Sequence, residues 1–130
     1  MSRAVIGLGS NIQPQDNVPK AILRIGQAHR ILRKSRFIET PAIGSTPQPD
    51  FVNGAVLIET AMERDALKDW LRKIEAEFGR VRSEDRNAPR TIDLDIVVWD
   101  GQIVDEDVYG RDFLRRAVEE VCPDLNLGAS

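Results

Sequence analysis

The stretch that most restricts how this chain can fold is Ala88-Pro89-Arg90-Thr91-Ile92-Asp93-Leu94-Asp95-Ile96-Val97-Val98, an arginine leading into an apolar run that carries two carboxylates. Read as a β-strand, residues of like parity share a face. Ile92, Leu94, Ile96 and Val98 are then expected to point into a core, with Asp93 and Asp95 pointing together the other way. Two residues of strand span roughly 6–7 Å, a separation at which each acid can hold one Mg²⁺ and the two ions can share the oxygens of a polyphosphate. Like charges on one face are costly unless a cation neutralises them, which favours a metal platform. The competing reading is the solvated outer face of a half-buried strand. Arg80, Arg82, Arg86 and Arg90 lie just upstream and weigh toward the platform, because a guanidinium fork matches phosphate oxygens and keeps its charge.

At 130 residues and 42% hydrophobic content the chain suits one ordinary core, so a single domain over residues 1–130 is expected. No run approaches the length of a membrane span, and Met-Ser-Arg-Ala-Val-Ile enters a strand without a signal-peptide pattern, which predicts a cytoplasmic protein with no membrane partner. The lone Cys122 rules out an internal disulfide and a cysteine-based metal site. A net charge of −3 argues against general nucleic-acid binding. Any basic surface must be a local patch aimed at a small anion.

Residues 3–9 read as a short buried strand. Gly7 and Gly9 suggest a dinucleotide fingerprint, but Ile12 stands where its third glycine belongs, and no phosphate-loop Gly-Lys-Ser/Thr is present. A tight turn that frees backbone for close packing is the preferred reading of Gly9-Ser10-Asn11. Asp16 is expected to cap a helix that tolerates Pro19 in its first turn and buries Val18, Ala21, Ile22 and Ile25. The single histidine, His29, reads as a helix-end or packing residue.

Residues 35–40 alternate enough for a second strand, and residues 41–49 form a loop. In the strand expected over 50–60, Val52, Val56 and Ile58 share one face, while Phe51, Asn53, Ala55 and Leu57 share the other. Phe51 and Asn53 can stack on a planar heterocycle and hydrogen-bond its edge, although Phe51 alone reads more readily as core. Residues 63–78 are the clearest helix, with Leu67, Trp70, Leu71, Ile74 and Phe78 in a stripe and Gly79 as its stop. Glu75 lies at the stripe's edge, half buried and pointing toward the segment beyond Gly79. The charged residues 80–90 read as a mobile loop. Asp100-Gly101 predicts a hairpin into a strand over 102–104, and residues 111–121 a last helix ended by Pro123. This order predicts an α+β, ferredoxin-like sandwich, a mainly antiparallel sheet with helices packed on it.

Gly9-Ser10-Asn11, Thr40-Pro41, Phe51-Val52-Asn53, Glu75 followed by Gly79-Arg80-Val81-Arg82, and Pro89-Arg90-Thr91-Ile92-Asp93-Leu94-Asp95-Ile96 run in this order through nearly all of the chain. Together they resemble the 6-hydroxymethyl-7,8-dihydropterin pyrophosphokinases of folate synthesis. The resemblance implies a ferredoxin-like fold and transfer of pyrophosphate from MgATP to the hydroxymethyl group of the dihydropterin, releasing AMP. It implies that Asp93 and Asp95 hold two Mg²⁺ ions and that Arg80 and Arg90, as the catalytic pair, contact the phosphates during transfer. Arg72, Glu75, Arg80, Arg82, Arg90, Ile96 and Arg111 are then expected at ATP. Thr40, Pro41, Ile43, Phe51, Asn53 and Phe113 are expected at the pterin, with its ring between the two phenylalanines.

The chain departs from the family pattern in its last third. Where the family usually has a Pro-His segment reaching the nucleotide phosphates, Val108-Tyr109-Gly110 runs straight into Arg111-Asp112-Phe113. Arg72 stands where many members have a glutamine near the adenine. Beside an active pyrophosphokinase, two readings therefore stay open: a homologue that binds pterin or nucleotide with little turnover, and an enzyme for a related pterin alcohol.

Overall fold

Nearly every hydrophobic side chain that the sequence patterns place inside is claimed by one face or the other of a single sheet. The structure is a computed structural model and describes residues 1–41, 49–79 and 91–124. In chain order the elements are β1 (Ser2–Ser10), α1 (Pro14–Ala28), β2 (Arg30–Lys34), β3 (Ile38–Thr40), β4 (Phe51–Thr60), α2 (Arg64–Glu77), β5 (Asp93–Trp99), β6 (Gln102–Ile103), α3 (Asp107–Gly110) and α4 (Asp112–Val121). The strands lie in the order β2-β4-β1-β5-β6, with β3 also paired to β4, and every pairing is antiparallel. β1-α1-β2 and β4-α2-β5 each cross over one intervening strand, which is the split arrangement of a ferredoxin-like α+β fold.

α1 and α2 cover one face. Ala4, Ile6 and Leu8 of β1, Val56 and Ile58 of β4, and Leu94 of β5 pack there against Val18, Ala21 and Ile25 of α1 and Leu67, Leu71 and Ile74 of α2. Each fully buried Leu or Ile contributes roughly 1.5–3 kcal/mol relative to exposure. α4 covers the other face, where Leu114, Ala117, Val118 and Val121 meet Val5, Ala55, Leu57, Val97 and Val98. Among the described residues no helix is long and apolar enough to cross a membrane.

The local departures from the sequence expectations have identifiable causes. Val98 lies on the α4 side and not with Ile92, Leu94 and Ile96, because the β1–β5 register shifts between Val5 and Ile6 and leaves Val97 as an extra residue. One residue of bulge inverts the parity of the rest of the strand. Gly9 and Ser10 continue β1 and form no tight turn. α1 starts at Pro14, after Gln13 in the left-handed region (φ 42°), so Asp16 sits in the first turn and Pro19 lies inside the helix on an exposed position.

Residues 35–40 are not one strand. β2 ends at Lys34, and β3 resumes at Ile38 after a kink in which the Ser35 N–H donates to Ala55 O (2.9 Å), the Ala55 N–H donates to Ser35 Oγ (2.8 Å), and Phe37 lies on Gly54. A Cβ at Gly54 would sit 2.6 Å from the Phe37 ring. The hairpin forms at Asp100 and Gly101, both with positive φ (47° and 82°), the conformation that Asp-Gly suits. β6 is one residue shorter than expected, and the short α3 precedes α4, which begins at Asp112.

His29 terminates α1, its N–H donating to Ile25 O (2.9 Å). Its buried ring meets Trp70 edge-on, centroids 4.6 Å apart at 87°. Burial lowers its pKa from the ordinary 6.5, and Nε2 has no hydrogen-bond partner among the described residues.

Candidate functional site

The α4 face changes character along its length. Val5 of β1 is followed on the same side by Gly7 and Gly9, and these two glycines are the cross-strand partners of Asp95 and Asp93. Neither acid therefore has a side chain beside it on β1, and the two carboxylates border a lane of glycine backbone over which Val97 and Leu114 lean at Gly7 and Asn53 at Gly9. β4 flanks the lane on the other side, with Ala55 opposite Gly7 and Asn53 opposite Gly9.

The Asn53 amide leans into the space left at Gly9. A Cβ there would lie 2.6 Å from Asn53 Oδ1 and 4.0 Å from the Phe51 ring. Asn53 Nδ2 donates to Thr40 Oγ1 on β3 (2.6 Å), with Oδ1 lying over the glycine. The structure thus brings Asp93, Asp95, Asn53, Phe51 and Thr40 onto one floor. Phe113, in the first turn of α4, packs partly buried on the same side. Pro41 follows β3 and is exposed.

The start of β5 lacks a strand neighbour on its outer side among the described residues, since β6 pairs only with Val98 and Trp99. α2 fills that role with side chains. The Leu94 N–H donates to Glu75 Oε2 (2.8 Å), and Arg72 Nη1 donates to Leu94 O (2.8 Å) and to Glu75 Oε1 (2.9 Å). Arg72 Nη2 then reaches past the strand to Asp95 Oδ1 (2.9 Å). Glu75, expected half buried, has a side chain only 3% exposed and faces Leu94. A charge this deep is tolerable because it is paired and hydrogen-bonded.

This layout sets the electrostatics. Burial, then the charge of neighbouring Asp93, push the Asp95 carboxyl above its usual range, while Arg72 pulls in the opposite direction. Burial works against the Arg72 charge, yet its hydrogen bonds to Asp95 and Glu75 raise its pKa further. Two neighbouring carboxylates on one face form a donor set suited to a hard divalent cation such as Mg²⁺. Among the described residues no group of three or more His, Cys, Asp or Glu side chains is placed for a metal.

Other expected site residues stand elsewhere. Ile96 packs on the opposite face, against the α1/α2 core. Arg111, exposed at the start of α4, lies 3.9 Å from the Asp107 carboxylate. Ile43, Arg80, Arg82 and Arg90, with Arg86 and the loop expected over 80–90, lie outside the described residues.

Sequence reasoning missed the Arg72–Asp95 contact, although the i, i+3 spacing of Arg72 and Glu75 marks them as one unit on a helix. It also missed the role of Ser10 and Asn11, both buried. The Ser10 hydroxyl donates to Thr91 O and Asn11 Nδ2 to Pro49 O (3.2 Å), so the end of β1 anchors the chain where it enters β4 and β5.

Comparison with known proteins points the same way. A family model described as 7,8-dihydro-6-hydroxymethylpterin-pyrophosphokinase matches residues 5–123. The chain is 36% identical to the 2-amino-4-hydroxy-6-hydroxymethyldihydropteridine pyrophosphokinase of Methylorubrum extorquens, an alignment covering 98% of this chain and 87% of that one. It is 34% identical to the Haemophilus influenzae protein of the same name (98% and 86%) and 31% identical to that of Bacillus subtilis (98% and 82%). The first alignment runs to 144 positions against the 130 residues here, so the relative carries segments that this chain lacks.

Proposed function

The chain belongs to the 7,8-dihydro-6-hydroxymethylpterin-pyrophosphokinase family, and from that premise we propose that it transfers pyrophosphate from ATP to the hydroxymethyl group of 6-hydroxymethyl-7,8-dihydropterin, yielding the pterin diphosphate and AMP for folate biosynthesis. The observation that carries the reading is the shared floor. Two acids suited to a metal–polyphosphate lie beside the glycine lane, and an amide with an aromatic ring lies across it.

Release of AMP fixes the chemistry. The pterin hydroxyl oxygen attacks the β-phosphorus of ATP, the bond from that phosphorus to the oxygen of the α-phosphate breaks, and the hydroxyl proton passes to solvent. Asp93 and Asp95 would hold two Mg²⁺ ions, which when bound spread the charge of the triphosphate. Arg80 and Arg90 contact the phosphates during transfer. Arg72, Glu75, Arg82 and Arg111 seat the nucleotide, Glu75 acting through the β5 edge that it holds; the Ile96 side chain, turned into the α1/α2 core, leaves only its backbone for that role.

Thr40, Pro41, Ile43, Phe51, Asn53 and Phe113 form the pterin pocket. There Asn53 offers Oδ1 to a ring N–H, and the two phenylalanines sandwich the ring. Catalysis of this kind is mainly positioning and charge stabilisation. The protein is expected to work in the cytoplasm, where a folate precursor and ATP meet.

The test is AMP formation from ATP with each component omitted in turn. AMP that requires both the dihydropterin and Mg²⁺ is expected; ADP as product, or AMP formed equally without the pterin, would overturn the proposal. A second reading, favoured by the segments present in the relatives and lacking here, is a pterin- or nucleotide-binding homologue with slow turnover. Saturable binding of both ligands without AMP would select it.

A further inference from the structure

We infer that Arg72 is a built-in counter-cation of Asp95, holding this carboxylate against bare divalent ions and yielding it when the metal arrives with a nucleotide polyphosphate. The inference deepens the function proposed above and rests on Asp93 and Asp95 being metal ligands. One nitrogen of the Arg72 fork, Nη1, is fixed to Glu75 Oε1 (2.9 Å) and Leu94 O (2.8 Å), while Nη2 engages Asp95 Oδ1 (2.9 Å). Glu75 is 3% exposed, Arg72 30% and Asp95 42% by side chain. The guanidinium is thus anchored on its buried side and touches the site on its open side.

This anchoring has two effects. A braced arginine does not swing away as a surface side chain would, so its charge stays beside whatever reaches Asp95. The oxygen it engages is also one that a metal at Asp95 would use, and a guanidinium and a divalent ion competing for one partly buried carboxylate repel each other. A metal delivered with a triphosphate meets a different balance. The phosphate oxygens offer the same guanidinium a charge-assisted partner, so giving up Asp95 leaves no unpaired cation. Arg72 is then a positioning residue that makes the site selective for the metal–nucleotide complex over free metal.

The test is Mn²⁺ titration without nucleotide, with free Mn²⁺ followed by electron paramagnetic resonance, for the unaltered protein, Arg72→Gln, Arg72→Lys and Arg72→Gln/Asp95→Asn. Arg72→Gln is expected to bind Mn²⁺ roughly tenfold more tightly than the unaltered protein. Arg72→Lys, which keeps the charge, should stay within about threefold of the unaltered protein, and the Asp95→Asn double variant should lose the gain. A non-hydrolysable ATP analogue should narrow the gap between the unaltered protein and Arg72→Gln.

Equal Mn²⁺ affinity in the unaltered protein and Arg72→Gln, or equal tightening in Arg72→Lys, would overturn the inference while leaving the metal platform standing. No Mn²⁺ binding in any variant, even with the analogue, would overturn the platform and the inference together. Removing Arg72 leaves Glu75 buried without this partner, so Arg72→Gln/Glu75→Gln repeats the comparison if the single variant melts too early to titrate.

Discussion

The two faces of the sheet are built from the same three strands and have opposite fates. Toward α1 and α2, β1 presents Ala4, Ile6 and Leu8, and β5 presents Leu94 and Ile96 with Ile92 just ahead of it, an apolar run between the polar ends of β1 at Ser2 and Ser10. Toward α4, the same strands begin apolar with Val5, Leu57 and Val98, then pass to Gly7, Gly9, Asn53, Asp95 and Asp93. A strand alternates faces at every residue, so one face can be stripped of apolar side chains while the other keeps the strands in place. The α1/α2 face supplies the stability that lets the end of the α4 face be given over to polar, weakly packed groups.

That division can be broken by variants that fail on the wrong side. The largest effect expected is on the polar face: Asp95→Ala should lower kcat by roughly a thousandfold or more, with thermal melting showing a retained cooperative transition. Global unfolding of this variant would mean that the acid serves the fold. Ile6→Ala, one residue from Gly7 and on the apolar face, should cost about 2–5 kcal/mol of unfolding free energy in denaturant titration. Its folded fraction should keep an unchanged KM for the pterin.

Gly9→Ala sharpens the contrast, because its new Cβ would collide with the Asn53 amide. KM for the pterin should rise about tenfold, in line with the 1–3 kcal/mol usual for overpacking, with a smaller change in kcat. An unaltered KM would detach Asn53 from the pterin.

The smallest effect belongs to the apolar face and its acid sensitivity. Burial holds the His29 pKa below 6.5, so between the folded and unfolded values the unfolded chain binds more protons. Unfolding free energy should therefore fall as pH is lowered through about 6.5 toward the folded pKa, and level off below it. Denaturant titrations from pH 7.5 to 5 would show the slope, and His29→Gln should flatten it; an identical slope in both proteins would move the effect elsewhere.

Much of this architecture was legible in the chain because its signals are local. The α2 stripe, the β4 face assignments, the Asp-Gly hairpin and the parity of Ile92 to Ile96 each arise from a period carried by consecutive residues. The features that escaped are tertiary. β2 carries Arg30, Arg33 and Lys34 on an edge strand and so shows little apolar alternation. The bulge at Val97 is a property of the β1–β5 pairing, invisible in β5 alone. Nothing in the spacing of Arg72 announced that it would cross from a helix on one face to an acid on the other. The Asp pair, Phe51 and Asn53 were readable because alternation alone places them on one side of their strands.

The Glu75–Arg72 brace has a consequence for how copies of the protein treat one another. A strand rim with outward N–H and C=O groups is a template on which another chain can grow a sheet. At Leu94 both groups are already taken by α2 side chains. The border of the site can thus stay open to small molecules without inviting the self-association that an uncovered rim brings.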